Sequence, residues 1–423
     1  MVVRRIPIAC VAVLLLGSSL CRAQQAAGSK PAESKETATQ AAAAAQQALA
    51  LEQQAKYPEA ELAWDSVIKL EPRNAQAYAH LGLIEARQEH YSEAIAHYRK
   101  AQDLALAQGR AIPQLSLNLG LALFKSGDFQ DAGKLFEAEL RKHPNAADAQ
   151  KLTTLAAMSH YGAHQYGAAI PYLKDAVAVD SRNLPLLLTL AHCYLWTKQL
   201  DTAMEVYKEI LLIDPDSAAA DMIAGETLDE KGDNAGAVQQ FKAAVKANPR
   251  EPNAHFGLAY LYWTQRHYDE AVPEFKAELE NDPENNQAMI YLGDTYVQQH
   301  QIDLAKAMLE KADKFQTTDP LVHLDLGIVY METGDQNRAI VELNKTVSLD
   351  PDNVNAHFRL ATIYRSMGKK DEAKAEYIKS KTLNKKRDDS VHDRIAAANA
   401  RPATENPTGE NHKPDAEAKP DQP

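Results

Sequence analysis

Small and large apolar residues recur along this chain every 34 residues, against a polar background. With the positions of one copy numbered 1 to 34, position 20 is alanine ten times: Ala60, Ala94, Ala132, Ala169, Ala203, Ala237, Ala271, Ala305, Ala339 and Ala373. Position 8 is always Gly or Ala, from Ala48 and Gly82 to Gly327 and Ala361. Position 24 is always large and apolar, from Trp64 and Tyr98 to Leu343 and Tyr377. Such spacing within a copy is helical, and a period this long marks a repeat architecture. Each copy predicts two helices, separated in four copies by Gly127, Gly232, Gly334 or Gly368 and closed in four by Pro215, Pro249, Pro283 or Pro351. Seven copies run from 150 to 387 without an indel, whereas the second has about four extra residues near 107–112 and the third about three near 147–149.

The small residues at positions 8 and 20 are expected where the paired helices cross, with the large residue at position 24 beside them. No single pair can bury its apolar face, so stability is expected to come from stacking. The small residue at 8, leucine at 7, tyrosine at 11, alanine at 20, aromatic at 24 and proline at 32 resemble the tetratricopeptide repeat family over residues 41–387. The resemblance implies an all-α fold, a right-handed superhelical α-solenoid of about ten helix-turn-helix units.

One segment departs from a single docking stripe. In FGLAYLYW, residues 256–263, Leu258 and Tyr262 take signature positions, while Phe256, Tyr260 and Trp263 form a second stripe at i, i+4 and i+7. In the family those positions of the first helix line the concave side. The resemblance thus implies a partner-binding groove containing His192 and Trp196, then Met222, Glu226 and Asp229, then Phe256, Tyr260 and Trp263, then Ile290 and Asp294. Aromatic anchors with nearby carboxylates suit a protein or peptide carrying Lys or Arg. The competing reading has Phe256 and Met222 packing between adjacent first helices and leaves Glu226 and Asp294 as a solvated face. The lysine and asparagine clamp of chaperone-binding members is missing: Asn118 and Arg359 occupy position 6, but their neighbours do not follow that pattern.

Residues 1–23 read as a secretory signal peptide: Arg4 and Arg5, an apolar run from Ile6 to Leu16, and Cys21-Arg22-Ala23 before Gln24. Lipid attachment at Cys21 and a twin-arginine signal fit less well. The expected location is the periplasm or outside the cell, with no membrane-spanning segment after cleavage. Cys193 is then the only cysteine left, so no internal disulfide is expected. Residues 24–40 read as a flexible linker, and 388–423 as a cap with a Pro-rich disordered tail, including one short extra helix over 391–400. The formal charge of −12 becomes −15 without the signal, from 43 bases and 58 acids, which disfavours nucleic acid.

Catalytic patterns are missing: there is no phosphate-binding Gly-rich loop, G-x-S-x-G, H-E-x-x-H or paired C-x-x-C. His160 and His164, at i and i+4, read as two exposed histidines rather than metal ligands. Cys193 falls at position 10, where other copies carry Ile84, Leu261 or Val329, and reads as core. The expectation is a non-enzymatic scaffold without metal or cofactor that binds a protein or peptide segment in its groove. The alternative is an assembly factor or structural subunit of an envelope complex, acting through its convex face or ends.

Overall fold

A computed structural model describes residues 30–144, 148–315 and 318–399, with side chains described between 35 and 390. The signal reading at 1–23 and the tail beyond 399 lie outside the described residues. Among those described, twenty helices and no strands occur. They fall into two compact units divided between Pro215 and Asp216. The first unit holds α1 (Lys30–Gln53), α2 (Tyr57–Leu70), α3 (Ala75–Arg87), α4 (Tyr91–Ala107), α5 (Leu115–Ser126), α6 (Phe129–Lys142), α7 (Ala149–Gly162), α8 (Tyr166–Val179), α9 (Leu184–Trp196) and α10 (Leu200–Leu211). The second holds α11 (Ala218–Glu230), α12 (Asn234–Ala247), α13 (Ala254–Thr264), α14 (Tyr268–Asn281), α15 (Asn286–Gln298), α16 (Ile302–Asp313), α17 (Pro320–Glu332), α18 (Gln336–Leu349), α19 (Val354–Ser366) and α20 (Lys370–Asn399). Each odd helix pairs with the next even one as a repeat, and the fold is an α-solenoid of ten such units.

Each turn inside a repeat is made by one residue at position 15 with positive φ. It is Gly at 127, 232, 334 and 368, but Ala55, Glu89, His164, Lys198, Arg266 and His300 in the other six copies. The glycine pattern therefore showed four of ten identical turns. Asp128, Asp233 and Asp335 follow three of the glycines and cap the second helix, each accepting from a backbone N–H three residues on.

Within a repeat, position 8 packs on position 24. A Cβ added to Gly293 would lie 2.6 Å from the Leu309 side chain, and one added to Gly120 would lie 2.8 Å from the Phe136 ring. Nine of the ten residues at position 24 are at most 8% exposed.

Beside this layer lies a pair the repeat signature does not contain. Position 4 of the first helix meets position 23 of the second: His255 Nδ1 with Glu274 at 2.5 Å, His323 with Glu342 at 2.8 Å and His357 with Glu376 at 2.5 Å. In the repeat of α15 and α16 the same positions are Met289, fully buried, and Met308, partly buried, both in the apolar core.

Two boundary readings are corrected. Residues 30–40, expected as linker, belong to α1, whose alanines, glutamines and glutamates favour helix. The separate short helix over 391–400 is not a new element, because α20 continues without a break to Asn399.

Candidate functional site

In the second unit, the extra stripe of α13 forms a row of rings. Phe256 stacks on Tyr260 at 6.1 Å between centroids, and Tyr260 on Trp263 at 5.7 Å. Tyr291 of α15 meets Tyr260 at 5.2 Å and Trp263 at 4.7 Å. All four rings are half-buried. The stripe thus spends one edge on the next first helix and keeps the other outward. The packing reading of FGLAYLYW accounts for the edge that Tyr291 covers.

Asp294 is no groove contact. It is 4% exposed, and its Oδ2 accepts from Trp263 Nε1 at 2.5 Å while Oδ1 accepts from Gln298 Nε2 at 3.1 Å. Buried Asp325 of α17 lies against it. Burial first, then the charge of Asp294 and a hydrogen bond to it, push the Asp325 carboxyl well above the ordinary range, against the pull of Arg359. Asp325 thus favours its protonated form beside Asp294, and its Oδ2 has no partner among the described residues. Ile290, at 2% exposure, is core, because position 5 of α15 points into the contact with its neighbouring helices. Met222, at 9%, is likewise packed in the core around α11, α12 and α13.

Glu226, at position 9 of α11, differs from these carboxylates. It is half-buried, burial raises its pKa, and no hydrogen bond or ion pair reaches it among the described residues. Asp229, one turn on, is exposed, and burial of its carboxyl followed by the Glu230 charge raises its pKa. A desolvated carboxylate without a partner is a site that a cation would complete.

The first unit carries its own aromatic group. Trp196 is 56% exposed and stacks on Tyr166 at 5.6 Å. Its Nε1 donates to His192 Nε2 at 2.9 Å, which leaves the imidazole proton on Nδ1, buried without a hydrogen-bond partner among the described residues. Burial lowers the His192 pKa, so the ring is neutral. Tyr161 closes on His192 at 5.5 Å and on Tyr166 at 5.8 Å. Tyr166 was missed from sequence because it comes from a second helix, outside the first-helix stripe, whereas Tyr161 lies on α7 at position 12, the position of Trp263.

The histidines at 160 and 164 take separate partners. His160 is buried, not exposed as expected, and bonds Glu137 at 2.8 Å and Gln165 at 2.8 Å. His164 bonds the Tyr166 hydroxyl at 2.9 Å. Cys193 is fully buried, and burial pushes its thiol up to about 12, which removes it from nucleophilic chemistry. Among the described residues no helix is long and apolar enough to cross a membrane.

Family models described as tetratricopeptide repeat match residues 160–225 and 263–327. Another matches 45–111, 117–153 and 224–286, and further repeat models match 329–368 and 354–387. A TPR repeat-containing protein of Methanocaldococcus jannaschii is 26% identical over 211 residues, 45% of this chain and 35% of that protein. The chain thus spans about a third of the length of this curated relative. Among solved structures, MamA is 25% identical, covering 39% of this chain and 96% of that one, with a TM-score of 0.36. A tetratricopeptide repeat protein from Parabacteroides merdae is 18% identical, covering 59% and 97%, with a TM-score of 0.43.

Proposed function

This chain belongs to the tetratricopeptide repeat family, and from that premise we propose that its second unit holds a basic segment of a partner protein against Phe256, Tyr260 and Glu226. Proteins of this family are in general non-enzymatic interaction scaffolds that bind protein or peptide partners. The observation that carries the finer reading is Glu226, a desolvated carboxylate with no cation paired to it among the described residues, on the first helix before the aromatic row. A Lys or Arg of the partner completes the charge, and an apolar or aromatic side chain beside it lies on the ring faces. Asp229 adds negative potential outside. Trp263 and Asp294 contribute by fixing the row rather than by touching the ligand.

The test is a panel of peptides with one Lys or Arg beside one aromatic residue, titrated against residues 24–423. Supporting results are saturable binding, about tenfold weaker for Glu226→Gln and for Tyr260→Ala, and weaker as salt rises. Equal binding by all three chains refutes the site. We further propose that residues 1–23 are a cleaved export signal, so the exported protein begins at Gln24. An intact mass that includes those residues, or a lipid on Cys21, refutes this.

A further inference from the structure

What covers position 24 is visible at Phe241 of α12. A Cβ added to Gly257 of α13 would lie 2.6 Å from the Phe241 ring, so the next repeat's first helix sits directly upon it. The repeat of α19 and α20 has no such successor among the described residues. Its Tyr377 is 53% exposed, and Phe358 is exposed although its position 5 counterparts Met222, Ile290 and Leu324 are buried. Phe358, Ala361, Ala373 and Tyr377 wall a cleft of about 450 Å³ between the two helices. Thr362, Arg365, Lys370 and Lys374 complete its lining, and none of the three cations has an ion-pair partner among the described residues.

Two internal sources fit this cleft poorly. Residues 400–423 contain no Leu, Ile, Val, Met, Phe, Tyr or Trp, so they offer no large apolar side chain to fill it. A second copy would offer α1 as the next first helix. Positions 6 and 10 meet the preceding repeat, as at Gly257 on Phe241 and Ser159 beside Gly133. In α1 these are Gln46 and Ala50, and the carboxylate next along the helix, Glu52, is already held by His80 at 3.0 Å.

We propose that this cleft docks an amphipathic helix of a partner protein. Its apolar stripe covers Tyr377 and Phe358, and Asp or Glu on its flanks pair with Arg365, Lys370 and Lys374. The surface is separate from the aromatic row of α13 and does not rest on that reading.

The probe is a labelled peptide of residues 319–334, held helical by one side-chain lactam. It is an apolar helix of this fold, with Leu321, Leu324 and Ile328 as its apolar stripe and Asp319, Asp325 and Glu332 as acids. Fluorescence anisotropy against residues 24–423 is expected to show saturable binding. Lys370→Glu with Lys374→Glu, Phe358→Ser, and a peptide with Asn or Gln for its three acids should each weaken it about tenfold. These protein positions are exposed, so circular dichroism should stay unchanged. Tyr260→Ala with Trp263→Ala should leave the affinity as it is. No saturable binding at about 1 mM peptide, or binding indifferent to charge reversal, overturns the proposal. Self-association that the charge reversal abolishes overturns it in favour of a second copy. Tenfold tighter binding on truncation after Asn399 overturns it in favour of the chain's own tail.

Discussion

Trp263 Nε1 donates to Asp294 Oδ2 at 2.5 Å. Both residues had the sequence marks of ligand contacts, an indole and a carboxylate on successive first helices, and they answer one another instead. Asp294 is buried, so losing either partner leaves an unpaired polar group. Asp294→Ala is expected to cost about 1–3 kcal/mol in urea unfolding followed by circular dichroism. Trp263→Phe should cost about 1–2 kcal/mol, and the double variant less than the sum, with a coupling near 1 kcal/mol. Additive effects would mean that the bond contributes nothing.

That pair also marks where the sequence was legible. Alanine at position 20 and a large residue at 24 are set by close packing inside one repeat, so they recur and can be read in one dimension. The groove residues depend on which edge of a first helix its neighbour covers. Ile290 and Phe256 share position 5, yet one is core and the other half-buried. Whether a carboxylate faces a cation, another carboxylate or nothing depends on neighbouring helices, as Asp294 and Glu226 show. Tyr166 joined the Trp196 group from a second helix that the stripe rule ignores.

Glu226 should limit stability while serving binding. Burial raises its folded pKa above the ordinary 4.5, so its favourable contribution is complete below pH 4.5 and lost as pH rises through the folded value. Glu226→Gln is therefore expected to raise the thermal midpoint at neutral pH, with the gain shrinking as pH falls toward 4.5. The same substitution should weaken basic peptides. A lower midpoint at neutral pH would mean that the carboxylate has a structural partner.

The pairs at positions 4 and 23 should make the second unit acid-sensitive. Burial pushes Glu342 and Glu376 up, but hydrogen bonds from His323 with Lys345, and from His357 with Lys379, outweigh it, and both end below 4.5. Their contribution is present above pH 4.5 and lost as pH falls through the folded values. Replacing His357 and Glu376 together by Met copies the Met289 and Met308 solution of another repeat. The double variant should fold, keep its stability at pH 7 within about 1 kcal/mol and lose less on acidification. His357→Ala alone should be destabilising, because it leaves Glu376 without its histidine.

Position 15 gives a paired backbone prediction. Gly232 has φ +78° and Arg266 has φ +61° at the same turn of successive repeats. A side chain in this region costs about 1–2 kcal/mol, so Gly232→Ala should destabilise by about 1 kcal/mol although no neighbouring atom lies within 4 Å of its added Cβ. Arg266→Gly should do the reverse, by less, because glycine also loses more freedom on folding. Arg266 is exposed and no ion pair holds it among the described residues, so contact loss does not mask the backbone term. Circular dichroism melts of the two variants should shift in opposite directions. A shared direction would mean that the turn's conformation does not decide stability at this position.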